Sequence, residues 1–361
     1  MPAEHVIDLT ADVVSLTRAI CDIPSVSGDE APLADAIEAA LVPYSHLEVY
    51  REGDLIVART NLSRSRRVVI AGHIDTVPIN ANLPCHFTEE ADGLTLWGRG
   101  TVDMKAGVAV QLKLAAELAA PAADVTWIWY DHEEVDSTLN GLGRLARTRP
   151  DLMQGDFAIL GEPSNAGIEG GCNGTLRATV RAKGRRSHAA RAWIGDNAIH
   201  KLAPALTKLS AYEAEIVAVD GLDYRESLSA VLVSGGVATN VIPDDAVLTV
   251  NYRFAPSKSG AEASAFVEEF FAGYEVAIVD LAEGARPGLD SPFAVEFIAA
   301  VGAEPLPKYG WTDVSRFSAL GIPAVNFGPG NPMLAHTDDE RVPVAQISSC
   351  EIALRSWLQG S

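Results

Sequence analysis

Between Val125 and Tyr130 the chain is a run rich in β-formers, and it stops abruptly at four polar residues, Asp131-His132-Glu133-Glu134. Adjacent residues leaving a strand point in different directions. One carboxylate of such a pair can therefore bind a metal while its neighbour handles protons. An isolated Glu-Glu pair reads first as a solvated acidic loop, because acids sit mostly at the surface. Here four other polar clusters fit the same site, and the strand pattern around them sets the fold.

Arg67-Val68-Val69-Ile70-Ala71-Gly72 is continuously apolar rather than alternating, as expected of a strand buried on both faces. Helical spacing predicts a helix over 8–22, with Val13, Leu16, Ile20 and Ile23 on one face, broken by Pro24-Ser25-Val26-Ser27-Gly28. A second helix is predicted over 30–42, then short strands over 46–51 and 54–59. An Ala/Leu-rich helix over 105–119, a strand over 125–131, a helix over 138–148 and a strand over 156–160 follow. This alternation predicts an α/β fold with a mostly parallel sheet flanked by helices.

From 174 to 284 the grammar changes. Thr175 to Lys183, Ser229 to Val237 and Ala246 to Phe254 alternate, as half-solvated strands do, and helices are expected over 193–212 and 261–272. An α+β arrangement with helices on one face of an antiparallel sheet accounts for it. From 285 the α/β pattern returns. The expectation is one domain built from 1–173 and 285–361, interrupted by an inserted domain over 174–284. A length of 361 residues also favours two domains.

The formal net charge of −20 argues against nucleic acid or an anionic membrane as partner, since both need a basic face. A protein this acidic that binds an anionic small molecule must concentrate a few arginines locally. No apolar run is long enough to span a bilayer. Met1-Pro2-Ala3-Glu4-His5 lacks a basic stretch followed by an apolar core, so the expected location is cytoplasmic. Cys21, Cys85, Cys172 and Cys350 are far apart and form no Cys-x-x-Cys, which leaves histidines and carboxylates to hold any metal.

Gly72-His73-Ile74-Asp75-Thr76-Val77-Pro78 ends the buried strand. His73 and Asp75 share a face. A metal-bound His needs its second nitrogen held, so His73 is the candidate ligand and Asp75 its support, although a purely structural His-x-Asp bond has the same spacing. Gly98-Arg99-Gly100-Thr101-Val102-Asp103-Met104-Lys105 lacks the third glycine of a dinucleotide loop, and Asp103 stands in its place. A carboxylate there would repel a pyrophosphate and suits a ligand role. Gly161-Glu162-Pro163-Ser164 ends another strand. Ala335-His336-Thr337-Asp338-Asp339-Glu340 follows a Gly/Pro-rich loop. Alone, each is a turn or a surface group. Together, His73, Asp103, Glu133, Glu134 and Glu162 fall at strand ends, where open α/β sheets place their sites. With His336, imidazoles and carboxylates make the ligand set of a borderline divalent pair such as zinc.

These phrases, in this order, resemble the co-catalytic zinc family of aminoacylases, carboxypeptidases and deacylases over about residues 10–358. Further phrases resemble its desuccinylase branch: Glu169 to Arg177, Ser187 to Ile199, and Asn240-Val241-Ile242-Pro243-Asp244. The resemblance implies a zinc-peptidase-like sheet with an inserted dimerisation or lid domain. It implies two zinc ions per subunit, with cobalt able to substitute. Asp103 would bridge, His73 and Glu162 would complete one site, and Glu134 and His336 the other. Glu133 would be the general base, Asp75 would orient His73, and the Asp103-Met104 peptide would be cis. It further implies a homodimer through the inserted domain, with His188 entering the partner's active site. Asn240 and Arg253 on that domain, and Thr312 and Asn331 on the catalytic domain, match substrate contacts. The sequence departs from the branch at Arg191 and at Gly310-Trp311-Thr312-Asp313.

The implied activity is hydrolysis of an N-acyl-amino-acid amide, with a succinylated diamino dicarboxylate as substrate and Arg253, Arg191 or Arg177 as candidate cations for its carboxylates. Another deacylase, aminoacylase or carboxypeptidase of the family shares the metal core. A non-catalytic metal-dependent binder would not need Glu133 beside its metal.

Overall fold

The computed structural model describes residues 5–91 and 93–360. The reading of the N-terminus rests largely on residues 1–4, which lie outside this range. The first elements in chain order are α1 (Val13–Cys21), α2 (Ala31–Leu41), β1 (Glu48–Glu52), β2 (Leu55–Arg59), β3 (Arg67–His73), β4 (His86–Glu90), β5 (Gly93–Trp97), α3 (Lys105–Glu117), β6 (Asp124–Tyr130), α4 (Gly141–Thr148) and β7 (Phe157–Leu160).

β3 pairs in parallel with β6 on one side and β7 on the other, and Ala324–Asn326 pairs in parallel with β7. β2 and β1 extend the β6 side in antiparallel fashion. The central strands are buried on both faces, β6 along its whole length. That burial explains their continuous apolar runs.

α3 is buried nearly all round, from Lys105 to Ala116. Its polar side chains are therefore matched to backbone carbonyls: Lys105 Nζ lies 2.8 Å from Ile23 O, Gln111 Nε2 2.9 Å from Ala71 O, and Lys113 Nζ 3.2 Å from Leu9 O. Buried polar groups without such partners are costly. α3 presses on the sheet through Gly107. A Cβ there would stand 2.2 Å from Gly161 O, just before Glu162.

The chain divides into two compact units. The first holds the chain up to Gly170, Pro287–Leu306 and the chain from Arg316; the second holds Gly171–Arg286 and Pro307–Ser315. In the second, Ser227–Gly235, Asp245–Phe254, Gly174–Lys183 and Glu275–Ala282 form a four-stranded antiparallel sheet in that order. The alternating burial of Asp245–Phe254 gives it one core face. Leu176, Val180, Leu248, Val250 and Tyr252 share a core with Ala198, Ala205, Ala263 and Val267 of the helices and with Leu202 between two of them. Pro307–Ser315 follows the return point at 285 yet belongs to this unit. Asn173 N donates to Lys308 O, Cys172 Sγ lies 3.6 Å from Thr312 O, and Trp311 Nε1 donates to Glu283 O.

Local ends differ from the spacing in one instructive place. The helix expected over 193–212 is two short helices, Ala198–Lys201 and Ala203–Ser210, preceded by a 3₁₀ turn over Ala189–Ile194. Asn197 caps the first by accepting from Ile199 N and His200 N, and Pro204 opens the second. All four cysteines are free and buried.

Gly107→Ala tests the contact of α3 with the sheet. Helix propensity favours Ala by about 1 kcal/mol, but the clash is with backbone and overpacking costs about 1–3 kcal/mol. The expected outcome is net destabilisation by chemical denaturation. A stabilised variant would contradict the close approach.

Candidate metal centre

The parallel register brings the site together. His73 is the last residue of β3 and lies opposite Tyr130 in β6, so the segment Asp131 to Glu134 leaves the sheet beside it. Glu162 follows β7 by two residues. Asp103 arrives from the turn before α3, and the Asp103-Met104 peptide is cis. His336 comes from the segment between Pro332–Leu334 and Arg341–Pro343, with φ at +63°.

Ligand atoms of His73, Asp103 and Glu162 all lie within 4.8 Å of one another, as do those of Asp103, Glu134 and His336. A third group within the same limit is His73, Glu133 and Glu134. Asp103 faces both imidazoles, 3.1 Å from His73 Nε2 and 3.3 Å from His336 Nε2. His336 Nε2 is also 2.9 Å from Glu134. One carboxylate shared between two three-donor groups is the geometry of a bridging ligand.

The electrostatics say what is needed there. Burial disfavours a charge on His73, yet hydrogen bonds to Asp103 and Asp75 raise its pKa well above the usual value. Hydrogen bonds to Asp103 and Glu134 push His336 up to about 10. Burial raises the Glu134 carboxyl, whereas on Asp103 the hydrogen bonds from His336 and His73 overcome burial and hold its pKa low. Positive charge is thus in demand on both sides of Asp103. Imidazole nitrogens and carboxylate oxygens with this demand fit a pair of divalent cations.

Asp75 is fully buried, and its role differs from a simple His-x-Asp pair. His73 Nδ1 is 3.0 Å from the backbone oxygen of Asp75 and 3.4 Å from its carboxylate. The carboxylate itself accepts Ser27 Oγ at 2.7 Å and the backbone N–H groups of Glu133 and Glu134 at 3.0 Å each. It therefore aims the Glu-Glu pair as well as the imidazole. His132, with φ at +58°, makes the turn that points both N–H groups inward. Glu30, buried, accepts from His132 N at 3.2 Å and Gly28 N at 2.8 Å, tying the loop after α1 to the same turn. Ser27, Glu30 and His132 were not singled out in the sequence. The Pro-Ser-Val-Ser-Gly break after α1 is the local sign of Ser27 and Glu30, and the Asp-His-Glu-Glu run that of His132.

Among the other expected residues, Asn331 belongs to the first unit and accepts from Met333 N through its side chain. His188, Arg191, Asn240, Arg253 and Thr312 belong to the second unit. There, His188 is exposed and accepts from Ala190 N. Arg191 breaks the helical dihedrals of its turn. Asn240 O accepts from Ala189 N. Arg253 is partly buried, holds Asn251 at 3.0 Å and makes no ion pair among the described residues. Arg177 is committed to Asp280 at 3.2 Å. Thr312 is buried.

A partly buried cluster of acids and imidazoles at the carboxyl edge of a parallel sheet, with a further carboxylate beside it, defines a metal-dependent hydrolase. The model described as Peptidase family M20/M25/M40 matches residues 69–359, and the chain belongs to that family. A DapE relative in Mycobacterium tuberculosis is 53% identical over 357 residues, covering 98% of this chain and 100% of the relative. The succinyl-diaminopimelate desuccinylase of Corynebacterium glutamicum is 48% identical over 363 residues, covering 98% and 97%. The fold is shared with a tripeptidase of Staphylococcus aureus, at TM-score 0.78 and 20% identity over 98% of both chains. A dinuclear metal binding peptidase of Bacillus subtilis matches at TM-score 0.69 and 17% identity over 97% of this chain and 98% of its own. No helix among the described residues is long and apolar enough to cross a membrane.

Two outcomes check the centre. Metal removal by a chelator is expected to lower the unfolding midpoint, because each ion at a free concentration of 100 times its Kd adds about 2.7 kcal/mol; an unchanged midpoint would contradict a filled site. Asp75→Ala is expected to weaken metal binding by roughly 10–100-fold, read by titration of metal-free protein, and unaltered affinity would contradict the aiming role of Asp75.

Proposed function

We propose that the protein removes the succinyl group from N-succinyl-LL-2,6-diaminopimelate, releasing succinate and LL-diaminopimelate for diaminopimelate and lysine biosynthesis. The observation that carries the substrate is the likeness to the Corynebacterium desuccinylase, which runs through both units of the chain rather than the metal-binding segments alone.

The centre suits two zinc ions, with cobalt as a substitute: His73, Asp103 and Glu162 for one, Asp103, Glu134 and His336 for the other. When bound, the ions supply the Lewis acidity that polarises the amide carbonyl and lowers the pKa of water. Glu133 accepts the proton of the attacking water and returns it to the departing amine. Asp75 holds the backbone of Glu133, which fixes where that proton is taken. A hydrogen bond from the partner subunit's His188 steadies the developing oxyanion, a donor worth about 2.7–4 kcal/mol in such sites.

The substrate carries several carboxylates. Arg253, partly buried and without an ion pair among the described residues, is suited to bidentate capture of one of them. Asn240, Arg191, Thr312 and Asn331 are proposed as further polar contacts of the substrate.

The homodimer is proposed to form through the second unit. Ser227–Gly235 is the outer strand of that sheet, and it presents Val231, Leu232 and Val233 at 51%, 69% and 64% exposure. An apolar sheet edge of this kind is rarely left bare. The working location is the cytoplasm.

Two measurements check the reading. Zinc-loaded enzyme is expected to hydrolyse N-succinyl-diaminopimelate far faster than N-acetylornithine, with activity abolished by chelator. Preference for the acetyl substrate would keep the chemistry and replace the pocket assignment. Glu133→Gln is expected to keep its metal and lose roughly 10²–10⁴-fold in turnover, and normal turnover would remove Glu133 as the base.

A further inference from the structure

Glu340 lies outside both donor groups, and its side-chain exposure is 0%. Its Oε2 pairs with Arg99 Nη1 at 2.7 Å. Its Oε1 accepts from Val102 N at 2.9 Å and from Asp103 N at 3.1 Å. Its backbone oxygen accepts from Gly98 N at 3.0 Å. The strand Arg341–Pro343, which begins at the next residue, is antiparallel to β5, with Arg341 opposite Trp97. The segments carrying Asp103 and His336 therefore leave one end of the same ladder, and Glu340 joins them.

A buried ion pair is weak evidence for stability, since well-packed apolar residues often serve as well. What an apolar residue cannot do is accept two backbone N–H groups at the shared ligand. We infer that Glu340 is a positioning residue for the metal held by Glu134 and His336, an inference that rests on the dinuclear reading above. The selectivity follows from anchoring. His73 and Glu162 sit on or just beyond central strands and are 1% and 6% exposed. The side chain of His336 is 55% exposed, and its segment is tied down four residues later by Glu340. Loss of the carboxylate loosens two donors of the Glu134–His336 group and one of the His73–Glu162 group.

The test is titration of metal-free full-length protein with Co²⁺, followed by visible absorption, and with Zn²⁺ by calorimetry. Wild type is expected to take two ions. Glu340→Gln is expected to bind the first within about threefold of wild type and the second at least 10-fold more weakly, in the range seen when groups supporting a ligand are removed. Its turnover at limiting metal should fall with KM unchanged, and excess metal should restore it. Glu340→Asp keeps the charge one methylene short and is expected to weaken the second ion by an intermediate factor. It carries the test if Glu340→Gln does not fold. Unchanged affinity for the second ion, or equal loss at both sites, would overturn the inference while leaving the dinuclear centre standing. Fewer than two ions in wild type would overturn the dinuclear reading and this inference with it.

Discussion

Acids crowded at one edge of a sheet, buried or half-buried, do not stand together without cations. Asp75, Asp103, Glu133, Glu134 and Glu162 converge there, and two unit charges 4 Å apart repel by about 4 kcal/mol at the effective dielectric of a protein site. The surrounding hydrogen bonds answer only part of that demand. Asp75 is answered by Ser27 and two backbone amides, but Asp103 has an imidazole on each side and both histidines are pushed toward the charged form. A cation on each side of Asp103, as proposed above, would resolve the conflict. The rest of the first unit can be understood as the frame that keeps the conflict in place.

That frame is the parallel register of β3, β6 and β7. It sets His73, the Glu133–Glu134 turn and Glu162 at neighbouring strand ends without a long loop between any of them and the core. α3 then delivers Asp103 from the opposite direction. Its approach depends on glycine at 107, because the helix lies against the backbone of Gly161. Core packing and metal geometry are thus one problem here: a shift of α3 moves the shared ligand relative to both others.

Much of this was legible in the sequence because its signals are local. Buried parallel strands write continuous apolar runs, and polar residues at their ends mark the catalytic edge. The family phrases named His73, Asp103, Glu134, Glu162 and His336, whose ligand atoms the fold brings close together. What stayed hidden depends on partners distant in the chain. Ser27 and Glu30 look like part of a helix break until the fold brings Asp75 and His132 to them. Glu340 looks like one more acid in Asp338-Asp339-Glu340 until Arg99 and the amides of Val102 and Asp103 close around it. The β4–β5 hairpin over 86–97 was missed because β4 is exposed along its length and carries no apolar alternation to find. The helix expected over 193–212 failed for a readable reason: Gly195, Asn197 and Pro204 punctuate it, and the apolar spacing outweighed them. Pro307–Ser315 could not be assigned to the second unit from sequence, since the hydrogen bonds that tie it there, to Asn173, Cys172 and Glu283 among others, join residues distant in the chain.

The central claim is that Asp103 is shared by two metal ions. Anomalous diffraction at the zinc absorption edge from crystals of the zinc-loaded protein tests it most directly. The account predicts two peaks flanking the Asp103 carboxylate, one against His73 and Glu162 and the other against Glu134 and His336. A single peak, or a second one that does not touch Asp103, would contradict it.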